Sequence, residues 1–97
     1  MEIKQASIAG TMESSDVMVT VEPGVNGIEI EVESIVEKQF GREIRRAITE
    51  TLRSLDVKNA RIKAVDKGAL DCTIRARVKT AVYRAYGSGG KTAKRKW

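Results

Sequence analysis

Ninety-seven residues, 41% of them apolar and 32% charged, make room for one modest core in an ordinary soluble composition. Histidine is absent and Cys72 is the lone cysteine, so a zinc site, an internal disulfide and a self-contained hydrolase are all set aside, and no catalytic or metal-ligating residue is assigned. The net charge of +5 is lopsided: residues 1–71 carry 10 basic and 13 acidic side chains, whereas residues 72–97 carry eight basic and no acidic ones, a block that reads as a solvated face, a tail or a contact for an acidic partner.

In chain order, residues 3–9 (IKQASIA) tolerate a strand and run into Glu13-Ser14-Ser15-Asp16, a cluster that makes turns. Val17, Val19 and Val21 then alternate with Met18 and Thr20, the period of a strand with one buried face. Pro23-Gly24 and Asn26-Gly27 turn the chain. Ile28, Ile30 and Val32 alternate with Glu29, Glu31 and Glu33, so the third strand is apolar on one side and acidic on the other, and that second side should meet water.

Ser34 and Glu37 fit a capping box ahead of Val36, Phe40, Ile44, Ala47, Ile48, Leu52 and Leu55, whose spacing predicts an amphipathic helix. Gly41 costs roughly 1 kcal/mol inside that helix, which suggests close packing there. Ala60, Ile62 and Ala64 alternate with Arg61, Lys63 and Val65 as a fourth strand; Asp66-Lys67-Gly68 turns the chain, with Asp66 or Asp71 as a helix cap. Leu70, Ile74, Val78, Ala81, Val82 and Ala85 predict a second helix, bordered by Arg77 and Arg84 on one edge and by Arg75 and Lys79 on the other. The order β-β-β-α-β-α predicts an α+β fold of two layers, a four-stranded mostly antiparallel sheet with both helices on one face; strand order is not readable. Residues 1–86 form the predicted domain and 87–97 a flexible basic tail. No run is apolar enough to cross a bilayer and Met1-Glu2-Ile3-Lys4 lacks a secretory layout, so a cytoplasmic location is expected.

Three blocks carry a resemblance. Ala9-Gly10-Thr11-Met12-Glu13-Ser14-Ser15-Asp16 is similar to the prosthetic-group segment of citrate lyase acyl carrier proteins, Val36-Glu37-Lys38-Gln39-Phe40-Gly41 to the start of that family's long helix, and Asp66-Lys67-Gly68-Ala69-Leu70-Asp71-Cys72 with Arg75-Ala76-Arg77 to a third block. The resemblance implies a bacterial, non-catalytic carrier in which a serine, here Ser14, is joined by a phosphodiester to phosphoribosyl-dephospho-coenzyme A. The terminal thiol of that group carries acetyl and citryl thioesters as citrate is cleaved to acetate and oxaloacetate. The implied partners are the alpha (acyl transferase) and beta (citryl lyase) subunits, a prosthetic-group transferase and an acetylating ligase, with no nucleic acid and no membrane.

From the residues alone, Ser14 and its neighbours are ordinary turn formers. Ser15 stands next to it, and some relatives carry Gly there, which favours Ser14. Ser54-Leu55 follows Arg53 at a helix end, which does not match the Asp-Ser-Leu site of conventional helical acyl carriers. Cys72 is a candidate thiol at a helix start, although a small buried residue is the commoner meaning of such a cysteine. Gly90-Lys91-Thr92 and Gly87-Ser88-Gly89-Gly90 imitate a phosphate-binding loop and a KH-domain loop without the flanking helices either needs. The related carrier of malonate decarboxylase is the alternative within the same class. A small RNA-binding α+β module is the alternative outside it, disfavoured because no aromatic pair sits on a strand to stack bases.

Overall fold

A computed structural model describes residues 1–34 and 38–86. Its elements are β1 (Ser7–Gly10), β2 (Val17–Glu22), β3 (Ile28–Ser34), α1 (Lys38–Ser54), β4 (Ala60–Asp66) and α2 (Asp71–Ala85), the expected α+β order. The sheet runs β1-β2-β4-β3. β1 pairs antiparallel with β2 and β2 antiparallel with β4, while β3 and β4 run parallel. The parallel pair has a simple cause: β3 and β4 are joined through α1, and a crossover helix returns the chain to the end from which it set out.

The period-2 pattern sorts the two faces of the sheet. Val17, Val19 and Val21 of β2 and Ala60, Ile62 and Ala64 of β4 are buried beneath the helices. Glu29, Glu31 and Glu33 are exposed on the opposite side, in register with Arg61, Lys63 and Val65, so that side is open as expected. Ile44, Ala47, Ile48 and Leu52 form the buried stripe of α1, and Ile74, Val78, Ala81, Val82 and Ala85 that of α2. α2 lies on β1 and β2, and α1 on β3, with the two helices touching. Burying each larger aliphatic in these stripes stabilises the fold by about 1.5–3 kcal/mol. Arg75 ties the helices together at the surface, donating to Asp71 (2.6 Å) one turn back and to Glu50 of α1 (2.8 Å).

Several local expectations are corrected. Phe40 is half exposed because the first turns of α1 overhang a cleft rather than the sheet. Leu70 is not in the α2 stripe: it occupies the residue before the helix in extended backbone (φ −74°, ψ 158°), and its side chain is 70% exposed. Neither aspartate caps α2. Asp71 stands in its first turn, where its charge suits the helix dipole, and Asp66 is the last residue of β4. Gly41 marks no close approach, since a methyl group there would meet open space. Ser34 is the last residue of β3, while Glu37 of the expected capping box, Val36 of the expected stripe and the whole 87–97 tail lie outside the described residues.

Candidate functional site

The loop between β1 and β2 is closed at its neck by backbone contact. Gly10 has φ +97°, and a Cβ built on it would lie 1.8 Å from the Val17 carbonyl oxygen, so only glycine lets the two ends meet this closely. Inside the loop the Asp16 N–H donates to the Glu13 carbonyl (3.1 Å), closing a β-turn with Ser14 and Ser15 at its centre. Ser15 has φ +65°, a left-handed conformation that glycine takes more readily than serine.

This turn is laid against the end of β4. The Ser15 N–H donates to the Lys67 carbonyl and the Lys67 N–H to the Asp16 carbonyl, both at 2.8 Å, extending the β2–β4 ladder past its Val17–Asp66 pair. Ser14, the expected attachment residue, is left at the apex, exposed, with no hydrogen bond from its hydroxyl to the described residues. Its neighbour Ser15 is exposed as well, but its backbone is the part that is pinned.

Asp16 fastens the loop from within. Its carboxylate is buried and accepts four hydrogen bonds: Thr11 Oγ1 (2.7 Å) and Arg77 Nη2 (2.8 Å) on Oδ2, Arg77 Nε (3.1 Å) and the Val17 N–H (2.7 Å) on Oδ1. Arg77 thus grips both oxygens in a fork that fixes the plane of the carboxylate. Its paired hydrogen bonds hold the Asp16 carboxyl well below the usual carboxylate range, aided by Thr11 and the Val17 N–H and opposed by burial. Thr11 Oγ1 in turn accepts the Glu13 N–H at 3.2 Å.

A second buried carboxylate, Asp66, ends the neighbouring strand. It accepts the Ser34 hydroxyl (3.0 Å) and the Gly68 (3.2 Å) and Ala69 (3.0 Å) N–H groups, and so shapes the turn that backs the Ser14 loop. Beside it opens a cleft of about 400 Å³ lined by Phe40, Ile44, Leu70 and Ile74.

The structure therefore brings together Ser14, Ser15, Asp16, Thr11 and Arg77, residues that the sequence scatters over two segments 61 positions apart. From the residues alone Asp16 reads as a turn former and Arg77 as the border of a helical stripe, and the resemblance puts them in separate blocks without pairing them. The available signal was their shared edge: Arg77 and Arg84 flank the side of α2 that faces β1 and β2, where Arg84 also donates to the Ile8 carbonyl (2.8 Å). Cys72 is exposed on the first turn of α2, against the commoner meaning of a small buried residue. Ser54, the last residue of α1, donates to the Thr51 carbonyl (2.7 Å) and is a plain helix-end serine. No helix among the described residues is long and apolar enough to cross a membrane.

Residues 4–85 match the acyl carrier family model described as malonate decarboxylase delta subunit (MdcD). A citrate lyase acyl carrier protein of Streptococcus mutans is 63% identical over 86 residues, covering 88% of this chain and 84% of its own length. Its counterpart in Halothermothrix orenii is 55% identical over 85 residues, covering 88% and 90%. The chain belongs to the citrate lyase acyl carrier protein family. A solved Pseudomonas malonate decarboxylase hetero-tetramer in complex with malonate contains a chain of similar fold, with a TM-score of 0.72 over 86% of both chains and 24% identity. The citrate lyase carrier family and that chain share an architecture, and at this identity the likeness concerns the fold alone.

Proposed function

We propose that this chain is the non-catalytic acyl carrier of citrate lyase and that Ser14 bears, through a phosphodiester, phosphoribosyl-dephospho-coenzyme A. The observation that carries the reading is the state of Ser14: an exposed, unengaged hydroxyl at the apex of a turn whose flanking residues are fastened. The residues present fit such a group. Nothing among the described residues covers the apex, so a bulky substituent displaces no packing.

In attachment, the Ser14 Oγ attacks phosphorus of a phosphoric-anhydride donor held by a transferase. The new Oγ–P bond forms as the P–O anhydride bond breaks, the leaving phosphate departs with its electron pair, and the hydroxyl proton passes to a base of the transferase. When bound, the group supplies a thiol on a long arm for acetyl and citryl thioesters, chemistry that belongs to the cofactor. The chain contributes the anchorage: a surface turn on a rigid sheet gives the arm one origin from which it reaches the alpha and beta subunits and the acetylating ligase at high local concentration. A cytoplasmic setting suits a carrier whose thiol must stay reduced.

The test is peptide-level mass spectrometry of the chain purified from a citrate-fermenting cell. The expected result is the prosthetic-group increment on the peptide containing Ser14, abolished by Ser14→Ala with the unfolding midpoint unchanged. Activity of the native complex with an unmodified Ser14 refutes the proposal. A malonate decarboxylase carrier is the second reading, favoured by the description of the matching family model. Acyl analysis separates the two, because citryl rather than malonyl thioester should accumulate on the carrier.

A further inference from the structure

We propose that Arg77 is a positioning residue for Ser14: acting through Asp16 and Thr11, it holds the turn in the shape in which a modifying enzyme accepts the hydroxyl. This rests on Ser14 being the tether. The contacts form a continuous relay. Arg77 reaches from the middle of α2 and places Nη2 and Nε on the two oxygens of Asp16, at 2.8 and 3.1 Å. Oδ2, oriented by that fork, accepts the Thr11 hydroxyl at 2.7 Å. The Thr11 oxygen then accepts the Glu13 N–H, so the relay ends on the backbone of the residue directly before Ser14.

The fold does not need this relay to make its hairpin. The β1–β2 ladder, the Gly10 neck and the Asp16–Glu13 turn bond already bring the strands together. What the relay adds is the orientation of the peptide entering position 14. A loop ordered before encounter spares the transferase the entropy of ordering it, and a hydroxyl already aimed converts binding into a near-attack geometry. The fork is the essential feature. A lysine at 77 would keep the positive charge but grip the carboxylate at one point, leaving it free to swivel away from Thr11. Thr11 is exposed, so trimming its hydroxyl breaks the relay with little effect on packing.

The experiment compares full-length wild type, Arg77→Lys, Thr11→Val, the double variant of those two, and Leu52→Ala. Leu52 is buried in α1 toward the opposite end of β4, so its truncation lowers stability without touching the loop. Each chain is incubated with the prosthetic-group transferase of a citrate-fermenting bacterium and its coenzyme donor, and attachment is followed by intact mass. The expected result is a loss of about tenfold or more in kcat/KM for Arg77→Lys and Thr11→Val, carried mainly by kcat, with the double variant no worse than either single one. Faster hydrogen exchange at the Glu13 amide should accompany it. Leu52→Ala, corrected for its folded fraction, should be modified at the wild-type rate.

Full-rate modification of Ser14 in Arg77→Lys and Thr11→Val overturns the inference while leaving the tether assignment intact, as do rates that simply follow the folded fraction in all variants. Modification of the wild type at a residue other than Ser14 overturns the assignment and the inference together.

Discussion

The loops at 11–16 and 23–27 are made of the same turn chemistry and sit at opposite ends of β4, yet they are held in different ways. The second relies on backbone geometry and one side chain among the described residues: the Gly27 N–H donates to Asn59 Oδ1 (2.8 Å), the Ala60 N–H donates to the Gly27 carbonyl (3.1 Å), and Val25 stands 88% exposed nearby. The first is bolted to a helix through a buried carboxylate that accepts four hydrogen bonds. Connecting two strands requires only the former. A loop that must present one hydroxyl in a set direction has reason to carry the latter, because a buried, fully paired carboxylate tolerates few alternative arrangements. Turn residues mark where a loop is; long-range side-chain fastening marks which loop is held in one shape.

Gly10→Ala should break this contrast most severely. The added methyl would collide with the Val17 carbonyl in a left-handed backbone region, so the neck must open and carry Asp16 away from Arg77. A loss of about 3 kcal/mol or more in urea unfolding is expected. Next comes Arg77→Ala, which leaves the Asp16 carboxylate buried without its cation. Arg77 is itself more than a third exposed, which screens the pair, so the expected cost is about 2 kcal/mol rather than that of a fully buried bridge.

The same pair sets an acid dependence. Folding lowers the Asp16 pKa, so its stabilisation is complete above the unfolded value, about 3.9, and drains away as pH falls below that toward the folded value. Unfolding free energy measured from pH 5 to pH 2 should therefore fall more steeply for wild type than for Asp16→Asn. Parallel curves would mean that the fork contributes nothing to stability.

The sheet and the helical stripes were legible because burial imposes a period: the spacing of Val17, Val19 and Val21 marks one face of a strand, and that of Ile44, Ala47, Ile48 and Leu52 one face of a helix. Phe40 and Leu70 misled for a physical reason. Both sit where a helix begins, and periodicity continues past the point where the helix still covers the core. The parallel β3–β4 pairing was not legible, since strand order depends on how α1 crosses the sheet and not on any residue of β3. At the site, Ser14 was legible only by resemblance. Asp16 and Arg77 were invisible as a pair because an aspartate in a turn and an arginine beside an apolar stripe each have a sufficient local explanation, and nothing in a linear chain records that they meet.

Gly27 gives the smallest effect and the cleanest control on the comparison. Like Gly10 it has a positive φ, +88°, but a Cβ built on it meets nothing within 4 Å. Substitution there tests backbone strain without collision. Gly27→Ala should cost about 1–2 kcal/mol, the ordinary penalty of a left-handed alanine, and Gly27→Asn less, because asparagine enters that region more easily. Neither should alter attachment at Ser14, since the strain is confined to the far end of β4. If Gly27→Ala slows modification as much as Thr11→Val does, the two loops are coupled through the strand between them, and the fastening around Asp16 is not the independent device that its bonds suggest.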